Sequence, residues 1–242
     1  MAKRFLDILV SFAGLLLLSP LIFLFMLLVW LQDFGPPLYI SRRVRRSGVT
    51  FDMYKLRSMV VNADKKGGAS TSASDKRLTL VGIFLRKLKL DEVPQLWNVL
   101  RGDMSLVGPR PQVPRDVDLY TVEELNLFNV RPGITDFSSI IFSDEADILA
   151  GSVNPDLTYN QLIRPWKSRL GLFYAQNSSF FVDLRIILLT LLSLFSRPLV
   201  IQGVVSSLHR LGASDQIVRV ASRKYKLVPF PPPGSSSVED RW

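Results

Sequence analysis

Asp91 and Glu92 are adjacent carboxylates at the head of DEVPQLWNVLRGDMSLVGPRP, residues 91–111 of a chain of 242. Arg86, Lys87, Lys89, Arg101 and Arg110 flank them. A carboxylate among cations can attack a phosphoryl group as a nucleophile, or hold the Mg²⁺ that accompanies one. Guanidinium forks match phosphate oxygens, which makes Arg86 and Arg110 the first candidates for phosphate clamps. Arg110 sits in Gly108-Pro109-Arg110-Pro111, a stiff turn that would hold it still. A surface arginine in a proline turn looks the same. Lys55 and Arg57 would line the same site or serve as membrane-surface charge. Asp103 reads as a helix-end partner of Arg101 and is the weaker catalytic candidate.

The element carrying the two carboxylates reads as a short helix. Asp91 fits its N-cap, and Pro94 is tolerated in a first turn, where a missing N–H costs nothing. Leu96, Trp97, Val99 and Leu100 form an apolar stripe at helical spacing, and Gly102 is a stop signal. Trp97 on that stripe reads as core rather than as a base-stacking platform. A helix N-terminus favours negative charge, so both carboxylates are expected to be ionised near neutral pH. An ordinary N-cap with an acidic first turn is the competing reading, and on these residues alone it is the commoner case.

Phe5 to Leu31 is almost continuously apolar, interrupted by Asp7, Ser11 and Ser19-Pro20. It is too long for a signal-peptide core, and its length suffices for a bilayer of about 30 Å. Pro20 removes a backbone donor mid-segment and predicts a bend, and the Ser19 hydroxyl can serve a freed carbonyl. Lys3 and Arg4 precede the segment, and Arg42, Arg43, Arg45 and Arg46 follow it. Positive charge at both ends places both in the cytoplasm, which a re-entrant hairpin bent at Ser19 and Pro20 satisfies and a simple span does not. The net charge of +9 suits anionic membrane, lipid phosphates or nucleic acid. The chain has no cysteine, which fits a reducing compartment and rules out thiolate metal sites. Its one histidine, His209, argues against a His-based triad.

Gly35-Pro36-Pro37 marks the exit from the apolar segment. Short strands are expected at 38–40 and 50–55 around Gly48, and a mobile loop at Asn62–Asp75. A helix is expected at 80–88, apolar on one side with Arg86, Lys87 and Lys89 on the other. An amphipathic helix is expected at Asp116–Asn129. Phe180–Leu199 is a second apolar run, expected at the membrane interface or on the core. Ile201–Lys226 adds a basic helix, and Val228–Trp242, with its proline and serine runs, reads as disordered.

The signature stretch resembles that of the bacterial sugar transferase family, the monotopic polyprenyl-phosphate phosphoglycosyl transferases. Ser19-Pro20, YKLRSM at Tyr54–Met59, RLTLVGIFLRKLKLDEVPQLWNVL at Arg77–Leu100 and RPGIT at Arg131–Thr135 fit in order, as does NSSFFVDLRIILLT at Asn177–Thr190. The resemblance implies an α+β fold: a small, mostly helical catalytic domain with a re-entrant N-terminal membrane helix hairpin and amphipathic interfacial helices. The expected division is 1–34 membrane helix, 35–200 catalytic domain on the cytosolic face of the bacterial inner membrane, and 201–242 basic, partly disordered tail.

The resemblance also implies a ping-pong reaction. A sugar-1-phosphate would pass from a UDP-sugar to polyprenyl (undecaprenyl) phosphate, with UMP released, as the first membrane step of glycan assembly. Asp91 would be the nucleophile, Glu92 would orient the metal or the nucleophile, and Mg²⁺ would lie at Asp91 and Glu92. Arg131 would meet the nucleotide diphosphate or form a structural salt bridge. Expected partners are the UDP-sugar, polyprenyl phosphate and membrane lipids, with a second copy or downstream glycosyltransferases beside them.

After RPGIT the chain departs from the family, reading Asp136-Phe137-Ser138-Ser139-Ile140-Ile141-Phe142, which leaves the sugar open with a lean to an N-acetylated amino sugar. A non-enzymatic basic membrane adaptor would explain the charge and the apolar segment but not the ordered signature. A nucleic-acid binder ranks last, since no recognisable module appears.

Overall fold

The computed structural model describes residues 1–63 and 75–241. The mobile loop expected at Asn62–Asp75 falls, but for its ends, outside the described residues. The apolar segment is a single helix, α1 (Ala2–Asp33), helical through Pro20. Pro20 cannot donate to the Leu16 carbonyl, and the Ser19 hydroxyl donates to that carbonyl instead, at 2.8 Å. At 1.5 Å per residue α1 is about 48 Å long, and it is the one described helix long and apolar enough to cross a membrane. Phe5, Leu9, Phe12, Leu16, Leu17 and Phe23 on it are exposed.

Both ends of α1 are fastened to the rest of the chain. At the first turn, Lys3 donates to Asp183 at 2.7 Å, to the Tyr174 hydroxyl at 3.0 Å and to the Val107 carbonyl at 2.9 Å. Arg4 donates to the carbonyls of Val99 and Leu100, and Asp7 accepts from the Leu106 N–H at 2.9 Å. At the far end, both oxygens of Asp33 take the Arg57 guanidinium at 2.6 Å each. Phe25 and Val29 pack there with Leu56 and Leu85. Midway, Gly14 admits Leu96, whose Cδ1 would lie 3.0 Å from any added Cβ.

Strands β1 (Leu38–Val44) and β2 (Thr50–Leu56) form an antiparallel hairpin, with Tyr39 opposite Lys55. Its turn uses left-handed Ser47 and Gly48. Helix α2 (Leu80–Lys87) starts at Thr79, whose hydroxyl caps the Gly82 N–H. A Cβ on Gly82 would overlap the Ser58 carbonyl, so only glycine lets α2 settle there. A 3-10 turn, Leu90–Glu92, follows, entered through left-handed Lys89. Helix α3 (Gln95–Arg101) then begins at Pro94. Asp91 is therefore not the N-cap the sequence predicts, because Pro94 occupies that position and the carboxylates lie in the preceding turn. Asn98 fixes α3 to β2, donating to the Asp52 carbonyl at 2.7 Å and accepting from the Tyr54 N–H at 3.0 Å. Trp97, expected in the core, is 51% exposed, while Val99 on the same helix is fully buried.

β3 (Ser105–Val107) pairs in parallel with β4 (Gly133–Thr135), the strand of the RPGIT motif. Gly108 and Gly133 let the two backbones touch where a Cβ on either would collide. The amphipathic helix expected at Asp116–Asn129 is instead α4 (Pro114–Val117) and a 3-10 turn, Glu124–Asn129. A capping box divides them: the Thr121 hydroxyl accepts from the Glu124 N–H, and Glu124 accepts from the Thr121 N–H. The Glu124 carboxylate also pairs with buried Arg164 at 2.6 Å.

The larger core lies under α5 (Phe137–Ile141), α6 (Glu145–Ile148), α7 (Pro155–Leu162) and α8 (Arg164–Asn177), with Met104, Val107, Phe137, Ile141 and Leu170 inside. The run Phe180–Leu199 is not one helix. It comprises α9 (Phe180–Leu192) and the start of α10 (Arg197–Arg210), which opens on Pro198. At thirteen residues α9 is about 20 Å long, short of a bilayer. Ile186 and Leu189 face the core, and Phe181, Leu188 and Leu191 face outward, so the interface and core readings hold on opposite sides. The basic helix expected at Ile201–Lys226 breaks at left-handed Gly212 before α11 (Asp215–Ala221). Among the described residues beyond Leu227 there is no regular secondary structure, yet Phe230 lies on Trp166 at 4.6 Å and buried Glu239 reaches Arg164 at 3.6 Å. Among the described residues the architecture is helix-rich α+β with two small two-stranded sheets.

Candidate active site

Three elements converge on the 3-10 turn. β2 brings Lys55, α2 brings Arg86, and the turn after β3 brings Arg110. Lys55 donates to Glu92 Oε1 at 2.9 Å. Arg110 reaches both oxygens of Glu92, one at 3.4 Å and the other through a closer contact. Arg86 donates to the Ser58 hydroxyl at 2.9 Å, leaving the rest of its guanidinium to face Asp91 electrostatically. Asp91 is 7% exposed. Among the described residues no hydrogen bond or ion pair ends on its carboxylate.

The two neighbours are thus in opposite electrostatic states. Burial pushes the Asp91 carboxyl above the usual aspartate range, and the Glu92 charge adds to that push, while Lys55, Arg86 and Arg110 pull against it. Burial raises Glu92 too, but Arg110 and Lys55 outweigh it and hold Glu92 well below the usual range. The two carboxyls are shifted in opposite directions, where a helix N-terminus would shift both the same way. Burial lowers Lys55 and Lys89, the latter close enough to feel both carboxylates. Titratable neighbours driven apart by their surroundings mark division of chemical labour. Here one carboxylate is committed to cations and the other is desolvated and free to react.

The other predicted residues are placed elsewhere. Arg57 is buried and committed to Asp33 and to the carbonyls of Pro36 and Met59. It fastens α1 and does not line the carboxylate cluster. Arg131 lies at the other end of α3, beside a cavity shared with Arg45 and Asp103. Ser19 and Pro20 lie on α1, away from the cluster.

Sequence reasoning overlooked the groups behind Arg110. Half-buried Lys167 pairs with Glu145, and Tyr159, Asp116 and Asp136 share a small polar cavity with Arg110 and Lys167. Arg43, read only as part of the basic flank of the apolar segment, donates to the Pro111 carbonyl at 3.3 Å, and burial, with Arg110 beside it, lowers its pKa. The two-residue period of β1, which puts Arg43 on the same face as buried Ser41, was the available clue for Arg43.

Among the described residues no set of three or more His, Cys, Asp or Glu side chains gathers to hold a metal. An adjacent carboxylate pair is nevertheless the donor set that Mg²⁺ uses when substrate phosphates and water complete its octahedron. Asp91 and Glu92 fit an ion that arrives with a diphosphate.

An apolar surface adjoins the cluster. Phe84 of α2 stacks on Phe25 of α1 at 5.8 Å. Leu80 and Ile83 of α2, Leu88 just after it and Trp97 of α3 are exposed. Contiguous apolar exposure of this extent marks contact with membrane or another apolar partner.

A family model described as bacterial sugar transferase matches residues 1–197. The chain is similar to a putative undecaprenyl-phosphate N-acetylgalactosaminyl 1-phosphate transferase of Bacillus subtilis (strain 168), 45% identical over 112 residues, which are 46% of this chain and 63% of that protein. It is similar to the UDP-N-acetylgalactosamine-undecaprenyl-phosphate N-acetylgalactosaminephosphotransferase of Aeromonas hydrophila, 34% identical over 71% of this chain and 42% of that protein. It is 35% identical to the exopolysaccharide production protein ExoY of Rhizobium meliloti (strain 1021), over 79% of this chain and 84% of that protein. The chain therefore spans less than two thirds of the first two relatives and most of the third.

The Glu92 pairing makes a testable claim about stability. Arg110→Ala should lower unfolding free energy by about 2 kcal/mol near neutral pH, the order of a charged hydrogen-bonded pair. Because the folded pKa of Glu92 is depressed, this contribution is complete above the unfolded glutamate value of about 4.3 and disappears as pH falls through the folded value. Denaturant titrations in micelles should show a constant gap between the two proteins down to about pH 5, closing on further acidification. A gap that is absent at neutral pH, or that widens in acid, contradicts the pairing.

Proposed function

The chain belongs to the bacterial sugar transferase family, and we propose that it transfers a sugar-1-phosphate from a UDP-sugar to undecaprenyl phosphate, releasing UMP and leaving an undecaprenyl-diphosphate-sugar for glycan assembly. The observation that carries this reading is the buried, unpaired Asp91 carboxylate beside a cation-held Glu92. Burying a carboxylate without a partner is costly, and an adaptor protein would gain nothing from it.

Asp91 is the nucleophile. One of its oxygens attacks the sugar-bearing phosphorus, the bond from that phosphorus to the bridging oxygen breaks, and UMP leaves with the electron pair. The aspartyl-phosphosugar is then attacked at phosphorus by an oxygen of the lipid phosphate, which regenerates the Asp91 carboxylate. Desolvation leaves that carboxylate without a hydrogen-bonded shell to shed before attack. Arg86, Lys89 and Arg110 supply positive charge toward the equatorial oxygens as charge develops there. Glu92 keeps Lys55 and Arg110 in place and acts as a positioning residue. Mg²⁺, held by Asp91 and Glu92, would neutralise diphosphate charge. The acyl-phosphate route and the metal rest on the donor set and on the family resemblance.

The membrane arrangement follows from the fastening of α1. Its first turn is tied to Asp183 and Val107, and its last to Arg57, all within one domain. A helix crossing the bilayer would carry one end about 30 Å from that domain. We infer that both ends lie on the cytoplasmic face of the inner membrane, with the Pro20 region dipping in and α2 and α9 lying at the interface. The Asp91 cluster then sits at headgroup depth, where a polyprenyl phosphate presents its charge. The two aminosugar-transferase relatives favour an N-acetylated amino sugar as donor.

Three outcomes test this reading. UMP should be released from at least one member of a UDP-sugar panel in the presence of undecaprenyl phosphate and Mg²⁺. Asp91→Asn should lower the rate by about three orders of magnitude while the protein stays folded, and EDTA should abolish activity until Mg²⁺ is restored. Near-normal turnover by Asp91→Asn, or full activity without metal, contradicts it. The topology can be read with Ala2→Cys and Ser47→Cys, since the chain has no native cysteine. Both positions should react with an impermeant thiol reagent from the cytoplasmic side. Labelling from opposite sides would make α1 a span.

A further inference from the structure

A second cationic cavity lies at the far end of α3 from Asp91, about 10 Å of helix away. Its volume is about 330 Å³, and Arg45, Arg46, Val49, Gly102, Asp103 and Arg131 line it. Three guanidinium groups therefore face one carboxylate. Asp103 is already shared between Arg45 at 3.9 Å and Arg101 at 3.5 Å. Arg45 Nε is buried and donates no hydrogen bond. Among the described residues neither Arg46 nor Arg131 forms an ion pair. Two guanidinium groups without an acid partner, beside a third that shares one, fit a phosphate group in the concavity.

The surroundings indicate the form of that phosphate. The β-hairpin tip, with Arg46 and left-handed Ser47 and Gly48, forms one wall, and Val49 beside it is 50% exposed. The opposite wall is Gly102. An added Cβ there would lie 3.5 Å from the Arg4 guanidinium, so the first turn of α1 stands next to the cavity. That turn exposes Phe5, and the next exposes Leu9. The cavity thus joins an apolar, membrane-directed helix end to a cationic floor. A nucleotide would find no aromatic platform among these lining residues. A phosphodiester carrying acyl chains would find charge below and apolar surface beside it.

We propose that Arg45, Arg46 and Arg131 form a headgroup site for the phosphodiester of an anionic phospholipid, separate from the Asp91 cluster. Its occupant fixes the first turn of α1 at the interface and thereby the depth of the reacting carboxylate. The inference rests on the membrane placement of α1 proposed above and is independent of the chemistry assigned to Asp91.

The test uses the full chain in dodecyl maltoside micelles, titrated with short-chain phosphatidylglycerol and followed by ³¹P line broadening. Saturable binding is expected, weaker by tenfold or more in the double variant Arg46→Ala, Arg131→Ala, and largely kept in Arg46→Lys, Arg131→Lys. Arg110→Ala and the distant Arg219→Ala should bind as the parent does, which separates this site from the catalytic cluster and from general surface charge. Inorganic phosphate that binds as tightly and displaces the lipid would keep the anion site and overturn the lipid assignment. Unchanged binding in the double alanine variant, or equal loss in Arg219→Ala, overturns the site itself.

Discussion

Glu92 accepts from Lys55 on β2 and from Arg110 beyond β3, and this convergence ties the hairpin, the 3-10 turn and the parallel β3–β4 pair into one unit. A single carboxylate cannot satisfy two cations and also leave them available to its neighbour. With both cations directed at Glu92, Asp91 remains buried without a donor. The reactivity assigned to Asp91 is therefore a consequence of what Glu92 takes. Burial and the charge at Glu92 raise Asp91, and the cations that hold Glu92 pull it back down.

α1 supplies the second constraint. Residues 3, 4 and 7 fix its start to α3, β3 and α9, and Asp33 fixes its end to Arg57. The contacts at the start consist largely of charge-assisted bonds to backbone carbonyls and buried acids, which have few substitutes in a low-dielectric surrounding. The same helix exposes a long apolar side. A membrane element and the frame of the cationic cluster are one piece of structure, so the depth of the helix sets the height of the chemistry.

Much of this was legible beforehand where local physics decides. The helix expected at 80–88 appears at Leu80–Lys87, because Thr79 caps it and its apolar spacing is regular. Ser19 serves the carbonyl that Pro20 leaves free, as the pair suggested. The grouping of Lys55, Arg86 and Arg110 with the two carboxylates was also anticipated. What failed depended on long-range partners. Arg57 was assigned to the site, but Asp33, 24 residues earlier, claims it. Asp91 looked like a cap because nothing local shows that Pro94 would take the position. The 116–129 segment has helical periodicity, yet Thr121 and Glu124 cap each other and Glu124 is drawn to Arg164 forty residues away. The contacts of Phe230 and Glu239 were hidden in a stretch whose composition reads as disordered.

The central claim is that Asp91 carries the phosphosugar between donor and lipid. The most direct measurement is peptide mass analysis of the full chain after incubation with a reactive UDP-sugar and Mg²⁺, without polyprenyl phosphate, and rapid quenching. A phosphosugar adduct on the peptide containing Asp91, lost when polyprenyl phosphate is added before the quench, is the predicted result. Absence of any adduct while UMP release requires both substrates together, or an adduct on a different residue, contradicts it.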